Sequence, residues 1–208
     1  MKKIGKGFLI FIGLLILFAG GIYVYFKYFN KHESEPKTNV QYKPKKHQNA
    51  FNNHLDSTIN TYLLVKNAFI EADTNKVKQE TRQLIVMLQS IDTMELKKDT
   101  IPVYLTNLGY IYMITSNAND LLSKTDITEM RYSFKDISDN MRSFLIAVNY
   151  EGPKLFIQHC PMAFNDTEEA TWISNTSEIM NPYLGKHHPK YQAGMLNCGE
   201  VVETIEQN

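Results

Sequence analysis

The sequence predicts a mostly α fold: an antiparallel four-helix bundle with a small irregular β element at its C-terminus, preceded by a transmembrane helix. Three observations carry that prediction. A long uncharged stretch opens the chain, four amphipathic stripes follow one another, and the texture turns aromatic and β-branched after residue 153. The organisation that follows is residues 1–29 as membrane anchor or signal peptide and 30–48 as flexible linker. Residues 49–152 then form the helical bundle, and 153–208 a Cys/Met-containing β element packed on it.

The anchor rests on "MKKIGKGFLIFIGLLILFAGGIYVYFKYF", in which residues 7–26 carry no charge. About 20 apolar residues cross a bilayer core as a helix. A secretory signal has a shorter apolar run and a small-x-small cleavage site, of which "LFAGG" is a poor version. Lys2, Lys3 and Lys6 favour a cytoplasmic N-terminus, which places the body outside the cytoplasm, tethered to the membrane. Residues 30–48 are polar, hold two prolines and show no apolar period, the composition of an extended linker.

Helical spacing begins at Phe51 and continues through Leu55, Ile59, Tyr62, Leu63, Phe69 and Ile70, which share one face of a helix. Residues 71–75, "EADTN", interrupt and supply a cap. The second stripe is Val77, Thr81, Leu84, Ile85, Leu88 and Ile91. Residues 92–100 read as a connection, with Thr100 as N-cap and Pro102 tolerated in the first turn. Leu105, Leu108, Ile111, Tyr112, Ala118 and Leu122 form the third stripe. Asp126 with Glu129 resembles a capping box, and the fourth stripe runs from Ile127 through Phe134 and Met141 to Val148. Short connections between such helices favour antiparallel neighbours. Beyond residue 153, "KLFIQHC", "ATWISN" and "MLNCGEVVETI" carry strand signals.

Charge narrows the function. Lys+Arg and Asp+Glu each number 22, and the clustered basic excess of a nucleic-acid binder is absent. There is no HExxH, P-loop or GxSxG, and the carboxylates fall on helix faces where solvation is the default. Cys160 beside His159 does not make a nucleophile–base pair, because adjacent strand residues point to opposite faces. No enzymatic activity is expected. His47 and His54, flanking the linker, are expected to be solvated; Met87, Met113, Met130 and Met141 are expected to fill the core. The sole tryptophan, Trp172, is expected to anchor the β element. Asn181, Pro182 and Tyr183 are expected to build a turn that positions the Cys-bearing segments.

The sulfur pattern is the remaining chemical signal. The chain has two cysteines, one in "QHCPMAF" and one in "GMLNCGE", each with a methionine close by. A structural disulfide between Cys160 and Cys198 suits the inferred compartment and stabilises by about 3–4 kcal/mol in the chain-entropy model. A soft-metal site is the second reading: thiolate and thioether sulfur from Cys160, Met162, Met195 and Cys198 suits Cu(I), with His159, His187 and His188 nearby as possible ligands. Inert buried thiols are the third. A redox dithiol is disfavoured by the lack of Cys-x-x-Cys.

"QHCPMAF…EEATWIS…EIMNPYLG…MLNCGEV" resembles the C-terminal signature of a bacterial domain-of-unknown-function family. That family occurs at the C-terminus of CusB-type adaptor proteins of copper and silver RND efflux pumps, and alone in membrane-anchored or exported proteins. The matching positions are Cys160, Pro161, Met162, Ala163, Trp172, Ser174, Asn181, Pro182, Tyr183, Gly185, Met195, Leu196, Cys198 and Gly199. Upstream, "TDITEMRYSFKDISDNM" resembles the helix that precedes the signature, and the resemblance spans residues 51–205. Where some members carry a His-Met-x-Trp-Met cluster at the start of the third helix, this chain reads "DTIPVYLTNLGYIYM", with no histidine and Met113 much later. The resemblance implies copper handling without catalysis. The expectation is therefore a membrane-tethered, extracytoplasmic (periplasmic) protein that binds Cu(I) for buffering, sensing or transfer to heavy-metal efflux or other envelope proteins. The alternative is a non-catalytic envelope interaction module with a structural Cys160–Cys198 disulfide.

Overall fold

The computed structural model describes residues 46–206, together with Leu17, Phe18, residues 20–23 and Tyr25. The expected anchor at 1–29 and linker at 30–48 lie largely outside the described residues; the seven described between 17 and 25 are helical. Among the described residues no helix is long and apolar enough to cross a membrane. The chain divides into two compact units, Met1–Tyr42 and Lys43–Asn208, so the helical and β parts belong to one unit.

That second unit is mostly helical, with a small antiparallel sheet at its C-terminus. Its helices are α1 (Asn49–Ile70), α2 (Thr74–Gln89), α3 (Thr93–Leu96), α4 (Ile101–Ser123) and α5 (Ile127–Ala147). The strands are β1 (Leu155–Phe164), β2 (Glu168–Ser174) and β3 (Glu200–Ile205). The expected connection at 92–100 contains α3, a single turn whose N-cap Asp92 accepts from Met94 and Glu95 N–H. Asp73 caps α2 by accepting from Lys76 N–H, and Asp126 caps α5 by accepting from Thr128 and Glu129 N–H. These carboxylates satisfy backbone donors that a helix leaves without internal partners.

α1 packs beside α2, α2 beside α4, and α4 beside α5. α1 and α5 meet through rings: Tyr62 stacks on Phe134 at 5.3 Å between centroids, and Phe69 meets Phe134 at 4.9 Å. The first, second and fourth stripes face the core as the spacing predicts, and the third does so only in part, through Ala118 and Ile111. Leu105 is 58% exposed and Tyr112 73%, whereas Asn107, Ile114, Ala118 and Leu121 face the core. The physical reason is that residues 101–119 carry no charge. A helix apolar on most sides does not announce which side is inside. Met130 and Met141 are buried as expected, while Met113 is 48% exposed.

The β element is a three-stranded antiparallel sheet whose two ladders each carry a register irregularity. β1 is central, pairing antiparallel with β2 on one side and β3 on the other. Asn165 and Asp166 both take positive φ in the β1–β2 turn, a conformation their short polar side chains tolerate. The β1–β2 register slips between Cys160 and Phe164, where Pro161 has no N–H to give the ladder. The segment "MLNC", expected as part of the third strand, instead forms a one-turn 3-10 helix at Ala193–Met195 and a loop; β3 starts at Glu200.

Candidate thiol site

Cys160 sits on the central strand, fully buried, opposite Ala170 of β2. Cys198 arrives from the loop before β3. The two are free thiols, 38 residues apart in sequence, with their sulfurs 2.7 Å apart. Bringing Cys198 there takes three devices, each traceable to a residue.

The first is Gly199. Its φ is +139°, and a Cβ there would stand 2.6 Å from the His159 carbonyl oxygen and 2.9 Å from the Trp172 ring. Only a residue without a side chain lets this backbone lie against β1 and the indole. The second is Asn181, fully buried. Its Oδ1 accepts from the Tyr183 and Leu184 N–H groups at 2.8 and 3.0 Å, closing an Asx turn. Its Nδ2 donates to the Cys198 carbonyl at 2.9 Å, and its backbone N–H to the Leu196 carbonyl at 2.8 Å. The expected turn thus holds the cysteine loop directly.

The third device fixes that turn to the helices. Gly185, at φ +62°, passes so close to the end of α1 that a Cβ would lie 2.9 Å from the Ile70 carbonyl oxygen. Lys186 N–H donates to that same carbonyl at 2.8 Å. The buried Arg131 guanidinium donates through Nε to the Pro182 carbonyl and through Nη2 to the Phe69 carbonyl. Its cation therefore sits at the negative end of α1, where orphan carbonyls need donors. Tyr62 completes the frame: it accepts from the Ile173 N–H of β2 and shares a hydrogen bond with Ser138 of α5.

The seven candidate ligands do not converge. Cys160 and Cys198 meet. Met195 lies in the turn whose carbonyl accepts from Cys198 N–H at 3.0 Å, and it is partly buried against the core. Met162 and His188 line a separate cavity of about 370 Å³ with Arg131, Asp166 and Lys190. His188 Nδ1 accepts from the Lys190 and Tyr191 N–H groups, and burial, then the Arg131 charge, push its pKa down. His159 points to the other face of the sheet and meets Glu169 at 3.1 Å, as strand alternation requires. His187 is exposed on the loop. Among the described residues, no group of three or more His, Cys, Asp or Glu is placed to hold a metal ion. The soft donors that the structure brings together are the two thiol sulfurs. Burial, then the adjoining Cys160 thiol, push the Cys198 pKa well above the usual thiol range, so Cys198 holds its proton.

His47 is 7% exposed, contrary to the expectation of a solvated ring. Its ring stands 3.7 Å from both Glu95 and Asp99 carboxylates. His54 is likewise engaged, its Nε2 2.8 Å from the Met87 carbonyl oxygen. The buried Glu95 also departs from the expected solvated face; it accepts from Gln48 N–H and pairs with Lys98.

Residues 58–151 match the family described as Protein of unknown function (DUF3347). The matched stretch begins within α1, ends just beyond α5 and stops short of β1, so both cysteines lie outside it. No curated protein and no solved structure matches the chain.

Proposed function

We propose that the protein is a membrane-tethered, extracytoplasmic soft-metal carrier that takes up one Cu(I) between Cys160 and Cys198. The observation that carries this reading is the meeting of the only two cysteines of the chain, 2.7 Å apart, on a strand and a loop held by buried hydrogen bonds. Soft thiols of this kind select Cu(I) over harder ions. Cys198 and Met195, in the same loop, are only partly buried, which leaves an approach for an incoming ion. The helical body serves as scaffold. The resemblance of the signature to efflux adaptors supports delivery to an envelope efflux partner. His159 and His187 have no part in this site, and His188 with Met162 belongs to a neighbouring cavity.

Because a thiol must lose its proton to ligate the ion, uptake at Cys198 releases a proton, and affinity falls as pH falls. The test is a Cu(I) competition titration of the reduced 208-residue chain against a chromogenic chelator. One tightly bound equivalent, lost in Cys160→Ser/Cys198→Ser and retained in His159→Ala, supports the reading. Unchanged affinity in the double cysteine variant overturns it.

A second reading is favoured by the sulfur separation itself. The pair is within a small shift of the roughly 2.05 Å of a disulfide. Under oxidation it would staple β1 to the β3 loop, leaving a non-catalytic interaction module.

A further inference from the structure

Lys66 is a charged residue near the C-terminal end of α1, on a helix face that is otherwise core. Lys66 is 5% exposed, flanked in sequence by Val65 at 0%. Its ammonium makes no hydrogen bond or ion pair among the described contacts, and it lines a cavity of about 500 Å³. The stem is buried and the ammonium, which opens onto the cavity, has no counter-charge; proteins commonly pair such partly desolvated charges. Burial alone pulls its pKa down to about 8, so at neutral pH it still carries its charge.

The cavity walls define what would answer that charge. Leu64, Ile70 and Met180 are apolar, and Asn175 and Thr176 are neutral polar groups from the loop after β2. The other charged lining groups are Lys76, Glu71 and Asp73. Glu71 is committed to Lys186, and Asp73 to the Lys76 backbone N–H. Two carboxylates at the rim disfavour a multiply charged anion; Lys76 is solvent-exposed, so the single buried lysine, Lys66, calls for one negative charge. The volume is within the range of small-molecule sites.

We propose that this cavity binds a small organic monocarboxylate with an apolar body, its carboxylate on Lys66. The apolar part lies against Leu64, Ile70 and Met180. This site shares no residue with the thiol pair and does not depend on the metal reading.

The experiment is calorimetric titration of hexanoate into the full chain, with inorganic phosphate as the comparison probe. Saturable one-to-one binding of hexanoate at pH 7 is expected, at least tenfold tighter than phosphate and at least tenfold weaker in Lys66→Met. At pH 8, in buffers of different ionisation enthalpy, binding should take up part of a proton as the carboxylate restores the ammonium charge. That measurement uses the wild-type chain and stands even where the variant fails to fold. Absence of saturation by hexanoate, equal binding by a folded Lys66→Met, tighter phosphate, or zero proton uptake each overturns the proposal.

Discussion

Asn181→Ala is the substitution that tests the frame of the thiol site. The Asn181 side chain makes three hydrogen bonds: it accepts from Tyr183 and Leu184 N–H and donates to the Cys198 carbonyl. Alanine removes all three, orphaning two N–H donors on residues about 1–2% exposed and one carbonyl on a half-buried loop. An orphaned buried polar group costs about 1–3 kcal/mol. The Cys198 carbonyl can find water and so belongs at the low end of that range, which gives a total of about 3–5 kcal/mol. With a urea m-value of about 1–3 kcal/mol/M, the unfolding midpoint falls by about 2 M. The assay is equilibrium urea unfolding of the reduced, metal-free chain, followed by Trp172 fluorescence, with Cys198 alkylation under native conditions as the local readout. Alkylation should accelerate, because the loop loses its carbonyl anchor. A cost under about 1 kcal/mol, or an unchanged alkylation rate, would refute the claim that this turn holds the cysteine.

Gly199→Ala introduces a Cβ 2.6 Å from the His159 carbonyl oxygen and is expected to cost about 2–4 kcal/mol by thermal or urea unfolding. It should also weaken Cu(I) binding in the competition assay, since Cys198 is displaced from Cys160. Lys66→Met replaces an unpaired ammonium with an apolar chain of similar length. The shift from 10.5 to about 8 converts to a gain of about 3 kcal/mol at pH 7. Because that pKa is depressed on folding, the penalty is complete below pH 8 and fades as pH rises towards 10.5, so the variant's advantage should shrink over that window in pH-resolved unfolding. Cys198 has the opposite sign. Its folded thiol holds its proton more tightly, so stability is intact below the ordinary thiol value of about 8.5 and falls above it. Reduced wild type should therefore lose stability relative to Cys198→Ala as pH climbs past that point.

Much of the helical body was legible in the sequence because its polar and apolar faces alternate cleanly. Phe51, Leu55, Ile59 and Tyr62 announce one face of α1, and Asp73 and Asp126 announce helix starts. α4 was legible only in part because its uncharged run offers no polar side to orient it; its buried residues are Asn107, Ile114, Ala118 and Leu121, not Leu105 or Tyr112. The Cys160–Cys198 meeting was approachable from composition, since two cysteines admit one pair. The dispersal of the histidines was only partly so. Strand alternation turns His159 away from Cys160, but nothing local shows that His188 joins Met162 in a different cavity. Arg131, Lys66 and the His47–Glu95–Asp99 cluster escaped notice for a common reason. Each looks like an ordinary surface charge until a distant segment covers it: the 181–185 turn over Arg131, and α3 with the following loop over His47. For Arg131 the available hint was its place on the α5 face between the buried Met130 and Phe134.

The most direct test of the central claim is the state of the sulfurs in the protein as its own compartment makes it. The chain should be isolated under an alkylating trap, with and without a Cu(I) chelator, and its copper content measured on the same sample. The metal reading predicts about one copper per chain and two thiols that become trappable when the chelator removes it. A chain without copper, whose thiols appear only after a disulfide reductant, would contradict that reading and make the pair a structural staple.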